Sequence, residues 1–92
     1  MEYEQRFRGE LEAGIRRGLR AGEFVPYYEQ QVDLETGDLI GFEMLARWQS
    51  PELGLVNPDI FIPIVEEMGL IEDLAKILMA QAFEDAKHWH PR

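Results

Sequence analysis

Cysteine is absent from the 92 residues, so neither a disulfide framework nor a cysteine metal site is available. No run of about 18 apolar residues occurs, which leaves no candidate membrane span. The first twelve residues alternate charges and lack the basic-then-apolar layout of a secretory signal, so the default location is cytoplasmic. Basic residues are scarce after the first helix. Residues 23–92 hold four basic and fourteen acidic side chains, net −10, whereas residues 1–22 hold five Arg and four Glu, net +1. A body this acidic is a poor partner for polymeric nucleic acid, whose phosphates need clustered Lys and Arg. A small nucleotide held by one or two Arg and divalent cations remains compatible with it. Internal repeats and low-complexity segments are also missing. What remains is ordinary for one small globular domain: 46% hydrophobic and 29% charged residues.

The most informative stretch is Leu39-Ile40-Gly41-Phe42-Glu43-Met44-Leu45-Ala46-Arg47-Trp48. Read as a strand, it puts Ile40, Phe42, Met44, Ala46 and Trp48 on one face, which is purely apolar. Leu39, Gly41, Glu43, Leu45 and Arg47 share the other, which is mostly apolar too. Such a strand is expected to be covered on both sides. A carboxylate and a guanidinium there cost free energy unless something pairs with them. Four residues of strand separate them by roughly 13 Å, too far for a mutual salt bridge. Each therefore calls for its own partner, and a metal or an anionic ligand would serve.

Around this strand the sequence predicts helix, strand, strand, helices. Tyr3, Phe7, Leu11, Ile15 and Leu19 form one drifting apolar stripe over residues 3–21, supported by the acid-before-base pairs Glu4–Arg8 and Glu12–Arg16. Gly22 caps this helix, while Gly9, Gly14 and Gly18 weaken it by about 1 kcal/mol each. It reads equally as a connector or dimer helix and as an ordinary helix lying on the body. Phe24 to Asp33 reads as a strand, with Pro26 favouring an edge position. The turn cluster Leu34 to Asp38 then makes an antiparallel hairpin with the central strand. Gln49 to Asn57 reads as a loop. Asn57-Pro58 starts a helix that Pro63 should break into two short pieces, the second running to Met68 and stopped by Gly69. Ile71, Leu74, Ala75, Leu78, Ala82, Ala86 and Trp89 stripe a last helix over residues 70–89, stopped by Pro91. His88-Trp89-His90 tempts a metal reading, but two His at i, i+2 point to different helix faces. Trp48 and Trp89 read as core aromatics, and Glu66, an acid set against the dipole near a helix C-terminus, reads either as a structural hydrogen-bonding residue or as one with a functional role.

Several blocks occur in one order: Phe24-Val25-Pro26-Tyr27-Tyr28-Glu29-Gln30-Gln31-Val32-Asp33-Leu34-Glu35-Thr36-Gly37, Gly41 to Trp48, Gly54 to Pro58, Phe61-Ile62-Pro63 and Glu66 to Ile71. Together they resemble the opening of an EAL domain, a family that hydrolyses the bacterial second messenger cyclic di-GMP to linear pGpG. The resemblance implies an α/β fold, a modified TIM barrel whose first strand runs antiparallel to the second. Such a barrel takes roughly 250 residues. The expectation is thus a short N-terminal connector helix (1–22) followed by an incomplete EAL domain (23–92), the first third of the barrel and part of a longer protein.

The resemblance also implies roles. Glu43 falls at the signature Glu and would be the catalytic metal ligand for Mg²⁺ or Mn²⁺, hard ions that favour carboxylate oxygen. Position 44 is Met where the signature has Ala. Leu45 stands at the signature Leu, and Arg47 at the Arg that contacts a substrate phosphate. Glu29 stands where many members have Gln followed by Pro, near the substrate, and brings an added negative charge. The implied chemistry is two-metal phosphoryl displacement. The family's remaining ligands lie on later strands, so the chain alone is expected not to catalyse. A degenerate module that binds nucleotide or a protein partner without hydrolysis is the alternative. The central strand's apolar faces and edge, or the first helix, are expected to drive self-association.

Overall fold

The computed structural model describes residues 2–89, and the side chains of residues 5–88. Six elements follow in order: α1 (Glu2–Ala21), β1 (Phe24–Val32), β2 (Leu39–Ser50), β3 (Gly54–Val56), α2 (Pro58–Glu67) and α3 (Ile71–Trp89). The helix, antiparallel hairpin and following helices are those the sequence implies. One sheet of order β1-β2-β3 carries the chain, so β1, with its Pro26, lies at an edge. Both long helical stretches before a turn stop in the same way. Gly22 and Gly69 adopt φ of 76° and 75°, and the amides of Glu23 and Leu70 reach back to the carbonyls of Gly18 and Val65. That is the six-to-one bond of a Schellman cap, which needs a residue free to take left-handed backbone.

Two expectations fail here. The segment read as loop contains β3, which pairs with Trp48, Gln49 and Ser50 through Val56, Leu55 and Gly54. The turn between them closes because the Ser50 hydroxyl accepts the amides of Glu52 and Leu53 at 3.2 and 3.0 Å, and Gly54 takes φ 79°. The second failure is Pro63, which does not break α2. Its ring removes one i→i−4 bond, but both Pro63 and Asp59, the residue four before it, are exposed, so water can satisfy the released carbonyl. Phe61, Ile64 and Val65 are buried on the other side and hold the helix through the defect. The Asn57 cap appears as expected, its Oδ1 accepting the Asp59 amide at 2.8 Å.

The core is built around Trp48. Phe24 is its cross-strand partner and stacks on it, ring centroids 5.2 Å apart and planes 18° from parallel. Phe61 of α2 meets both rings edge-on. Leu11 and Ile15 of α1, Val56, Ile64, Val65, Leu74 and Leu78 complete the cluster. The stripe expected on α1 is only partly right. Leu11 and Ile15 are buried, Phe7 is about half exposed, and Tyr3 lies outside the described side chains. The glycines are the missing part of the face. A Cβ on Gly14 would lie 3.1 Å from Trp48 Cη2, and one on Gly18 would lie 3.0 Å from both Phe24 and the Trp48 indole nitrogen. They let α1 approach the indole closely. Glu12 bonds back to Arg8 at 3.3 Å rather than forward to Arg16, and Arg8 also reaches Glu67 of α2. On α3, Leu74 and Leu78 are buried but Ala75 is exposed; Trp89, His90 and Pro91 lie outside the described side chains.

The central strand is covered only at its C-terminal end. Ile40, Phe42 and Met44, expected in a core face, are 68%, 54% and 38% exposed. No element among the described residues lies over that half of the face except where α3 meets β1.

There, the Tyr28 hydroxyl donates to Asp85 Oδ2 at 2.6 Å, tying the hairpin to α3. Desolvation, with help from Asp85, pushes the Tyr28 hydroxyl up to about 12. The Tyr28 and Gln81 hydrogen bonds hold the Asp85 carboxyl below the ordinary range. A depressed carboxyl stabilises the fold above about pH 4 and loses that contribution as pH falls through its folded value. A raised phenol stabilises below about pH 10 and loses its contribution between about 10 and 12. Unfolding followed by circular dichroism should therefore show Tyr28→Phe converging on the native chain at both pH extremes and falling short of it between pH 5 and 9. A difference that persists unchanged out to both pH extremes would contradict it.

Candidate functional site

The hairpin register decides which residues meet. Phe24↔Trp48, Pro26↔Ala46, Tyr28↔Met44 and Gln30↔Phe42 form the face shared with the core. Val25↔Arg47, Tyr27↔Leu45, Glu29↔Glu43 and Gln31↔Gly41 form the other. All four residues singled out in the sequence, Glu29, Glu43, Leu45 and Arg47, thus lie on one face of one hairpin, in three successive rows. Beyond Gln31 the ladder slips, Val32 pairing with Leu39, so that Ile40 has no Cα partner.

Glu29 and Glu43 sit directly opposite each other, both exposed. Like charges in that relation destabilise a sheet by a few tenths to about 1 kcal/mol. Gln31 Nε2 donates to Glu43 Oε1 at 3.0 Å. A hydrogen bond from a neighbouring amide is the usual way a ligating carboxylate is oriented. Arg47 is half-buried. Its guanidinium carbon lies 5.4 Å from the centre of the Tyr27 ring, and its Nη1 donates to the Ala46 carbonyl at 2.9 Å. Among the described residues no acid comes within ion-pair distance of it.

A cleft of about 350 Å³ opens beside this face, lined by Leu45, Arg47, Leu55, Val56 and the start of α2 at Asn57, Pro58 and Asp59. A larger cavity of about 460 Å³ lies between α1 and the β2–β3 turn. It shares no residue with the Glu43 face, and its charged lining includes the Arg17–Glu52 pair at 2.9 Å. The Arg47 cleft is therefore the one placed for the chemistry of these side chains.

Tyr27, Gln31 and Gln49, whose Nε2 donates to the Tyr27 hydroxyl at 3.2 Å, went unread in the sequence. Alternation places Tyr27 and Gln31 on the Glu29 side, but their setting against Leu45 and Gly41 depends on the skipped Ile40, which the sequence does not mark. The cleft wall at Leu55 to Asp59 left no such signal, because it depends on β3. Among the described residues no three of His, Cys, Asp and Glu gather closely enough to hold a metal ion. His88 belongs to no such group, and His90 lies outside the described residues.

The family whose model matches is the EAL domain, over residues 12–92. The probable cyclic di-GMP phosphodiesterase PdeG of Escherichia coli K12 is 45% identical over 67 residues, 73% of this chain and 13% of that protein. Among solved structures, the EAL enzyme Bd1971 in its cGMP-bound form superposes with a TM-score of 0.74 at 33% identity, covering 85% of this chain and 21% of that one. The PaMucR phosphodiesterase in complex with c-di-GMP gives 0.68 at 35% identity, over 72% of this chain and 27% of that one. The chain spans 12%, 11% and 14% of the length of three further curated relatives.

Proposed function

Because the chain belongs to the EAL domain family, we propose that residues 23–92 form the first wall of a cytoplasmic cyclic di-GMP phosphodiesterase site, one that opens the ring to linear pGpG. The observation that carries this reading is the hairpin face on which Glu43 and Arg47 share a side, beside a cleft, in a chain similar to a phosphodiesterase seen with c-di-GMP.

The donor set fits a hard divalent cation in part. Glu43 offers carboxylate oxygen, is exposed, and is already oriented by Gln31. Glu43 would hold Mg²⁺ or Mn²⁺, which when bound neutralises phosphoryl charge and lowers the pKa of water. Arg47 binds a phosphate oxygen and holds the phosphodiester against the strand. Leu45, between them, gives the nucleotide an apolar floor. Glu29 only accepts hydrogen bonds, so its partner would be a donor of the nucleotide, a base N–H or a ribose hydroxyl, rather than a carbonyl. One or two carboxylates do not complete an ion's coordination, which supports the further proposal that the 92-residue chain does not turn over alone. The test is cyclic di-GMP hydrolysis with Mg²⁺ or Mn²⁺, on this chain and on the full-length product of its gene. Turnover by the long form only is expected; turnover by neither would favour a non-catalytic binding module. That second reading has one observation of its own, the acid at position 29 opposite Glu43.

Self-association belongs to the same proposal. β3 pairs only with Trp48–Ser50, so among the described residues no strand covers the β2 edge from Leu39 to Arg47, and Leu39, Ile40 and Phe42 are all more than half exposed beside it. An open apolar edge invites another strand. Sedimentation at tens of micromolar is expected to show dimers or larger species, reduced by Ile40→Lys. A compact monomer at all concentrations would refute this.

A further inference from the structure

Arg47 shares its cleft with an acid, Asp59, yet does not pair with it. Its guanidinium instead lies over Tyr27, one row nearer to Glu29 and Glu43 than its own backbone. The ring that holds it is itself fixed. Tyr27 is set by pairing with Leu45, and its hydroxyl accepts a hydrogen bond from Gln49. A diagonal cross-strand contact of this kind is within reach of long and aromatic side chains. The electron-rich ring face attracts a cation without neutralising it. A carboxylate would neutralise it, and would have to be displaced before an anion could bind.

We propose that Tyr27 is the positioning residue for Arg47: its ring keeps the guanidinium on the Glu43 face, away from Asp59, and ready for a phosphate. The placement of Arg47 stands on the geometry alone. Its consequence for a phosphodiester substrate rests on the phosphodiesterase reading above.

Two measurements separate these. On the 92-residue chain, nitrogen-15 relaxation of Arg47 Nε and the ring-current shift of its side-chain protons report where the guanidinium sits. Tyr27→Phe should keep both signals; in Tyr27→Leu the ring-current shift goes with the ring, while Arg47 Nε should stay ordered but at a new chemical shift as the guanidinium turns to Asp59, with the β1–β2 amide spectrum otherwise unchanged. Adding Asp59→Asn to Tyr27→Leu should leave Arg47 mobile instead of newly fixed. If Tyr27→Leu does not fold, Tyr27→Thr, a good strand former, replaces it. An Arg47 Nε order and shift in the ring-free variant that Asp59→Asn does not alter would overturn the proposal.

On the full-length product, Tyr27→Leu should raise KM for cyclic di-GMP by about three- to fivefold, the ratio matching an exposed cation–π contact, with kcat changed less than twofold. Asp59→Asn should recover most of the loss, and Tyr27→Phe should stay within twofold of the native protein. A purely structural role for Tyr27 would lower stability without rescue by Asp59→Asn, and that result also overturns the proposal. If the native full-length protein shows no turnover, the phosphodiesterase reading fails, while the relaxation data still decide the placement of Arg47.

Discussion

Trp48→Ala is expected to abolish cooperative folding of the chain. The indole is 1% exposed and touches three elements at once: Phe24 stacks on it, Phe61 meets its edge, and α1 lies against it at Gly14 and Gly18. Its Nε1 also donates to Glu23 at 3.0 Å, so truncation leaves that acid without its bond. Removing a buried Trp costs about 3–5 kcal/mol. A domain of this size holds roughly 5–14 kcal/mol in total. With Ile40, Phe42 and Met44 exposed, this chain belongs at the low end. Thermal melts by circular dichroism should lose their sigmoidal transition; a melt within a few degrees of the native one would refute the central place given to Trp48. The glycines supply a finer check through the sign of the effect. Gly→Ala inside a helix ordinarily stabilises by up to about 1 kcal/mol. At Gly9, with nothing within 4 Å of the new Cβ, that gain is expected. At Gly18, where the Cβ would meet Glu23 Oε1 at 2.8 Å, Phe24 at 3.0 Å and Trp48 at 3.0 Å, overpacking should reverse it to a loss of about 1–3 kcal/mol.

What could be read ahead of the structure followed from local chemistry. The turn at Leu34 to Asp38 announces the antiparallel hairpin but not its register: it pairs Val32 with Leu39, and the skipped Ile40 shifts the ladder by one residue, so that 29 meets 43, 27 meets 45 and 25 meets 47. Asn57-Pro58, Gly22 and Gly69 each carry their own instructions for starting or stopping a helix. What stayed hidden depends on partners distant in sequence. β3 has three residues, too few for any alternation, and exists because Trp48 to Ser50 offer it a ladder. Pro63 survives inside α2 because burial of Phe61, Ile64 and Val65 outweighs one lost hydrogen bond. Gly14 and Gly18 read as weak points until the indole appears beside them. The site divides along the same line. Glu43 and Arg47 stood out as charges on an apolar strand. Tyr27 carried no such mark, because an aromatic in a strand reads first as packing.

Glu43→Gln should move stability and function in opposite directions. In the 92-residue chain the native carboxylate faces Glu29 across the ladder, and like charges so placed are destabilising. Gln keeps the shape and can still accept from Gln31 while removing the repulsion. The variant should therefore melt at the native temperature or a few degrees above it. On the proposed function, the same change in the full-length product would take away a charged oxygen ligand and should lower kcat/KM for cyclic di-GMP by at least about a hundredfold, since even the residues that merely orient a ligand are worth 10–100-fold. Stabilisation by millimolar Mg²⁺ or Mn²⁺, which follows the ratio of ion concentration to its dissociation constant, should fall with it. A residue kept for the fold would show the reverse pattern, with lower stability and activity lost only in proportion to unfolded protein. Turnover within tenfold of native would remove Glu43 from the metal site. A marked loss of stability would instead mean that the Gln31 bond to its carboxylate outweighs the repulsion from Glu29. On the proposed function the opposed signs follow from two acids sharing a row, whose unfavourable pairing a bound cation would relieve.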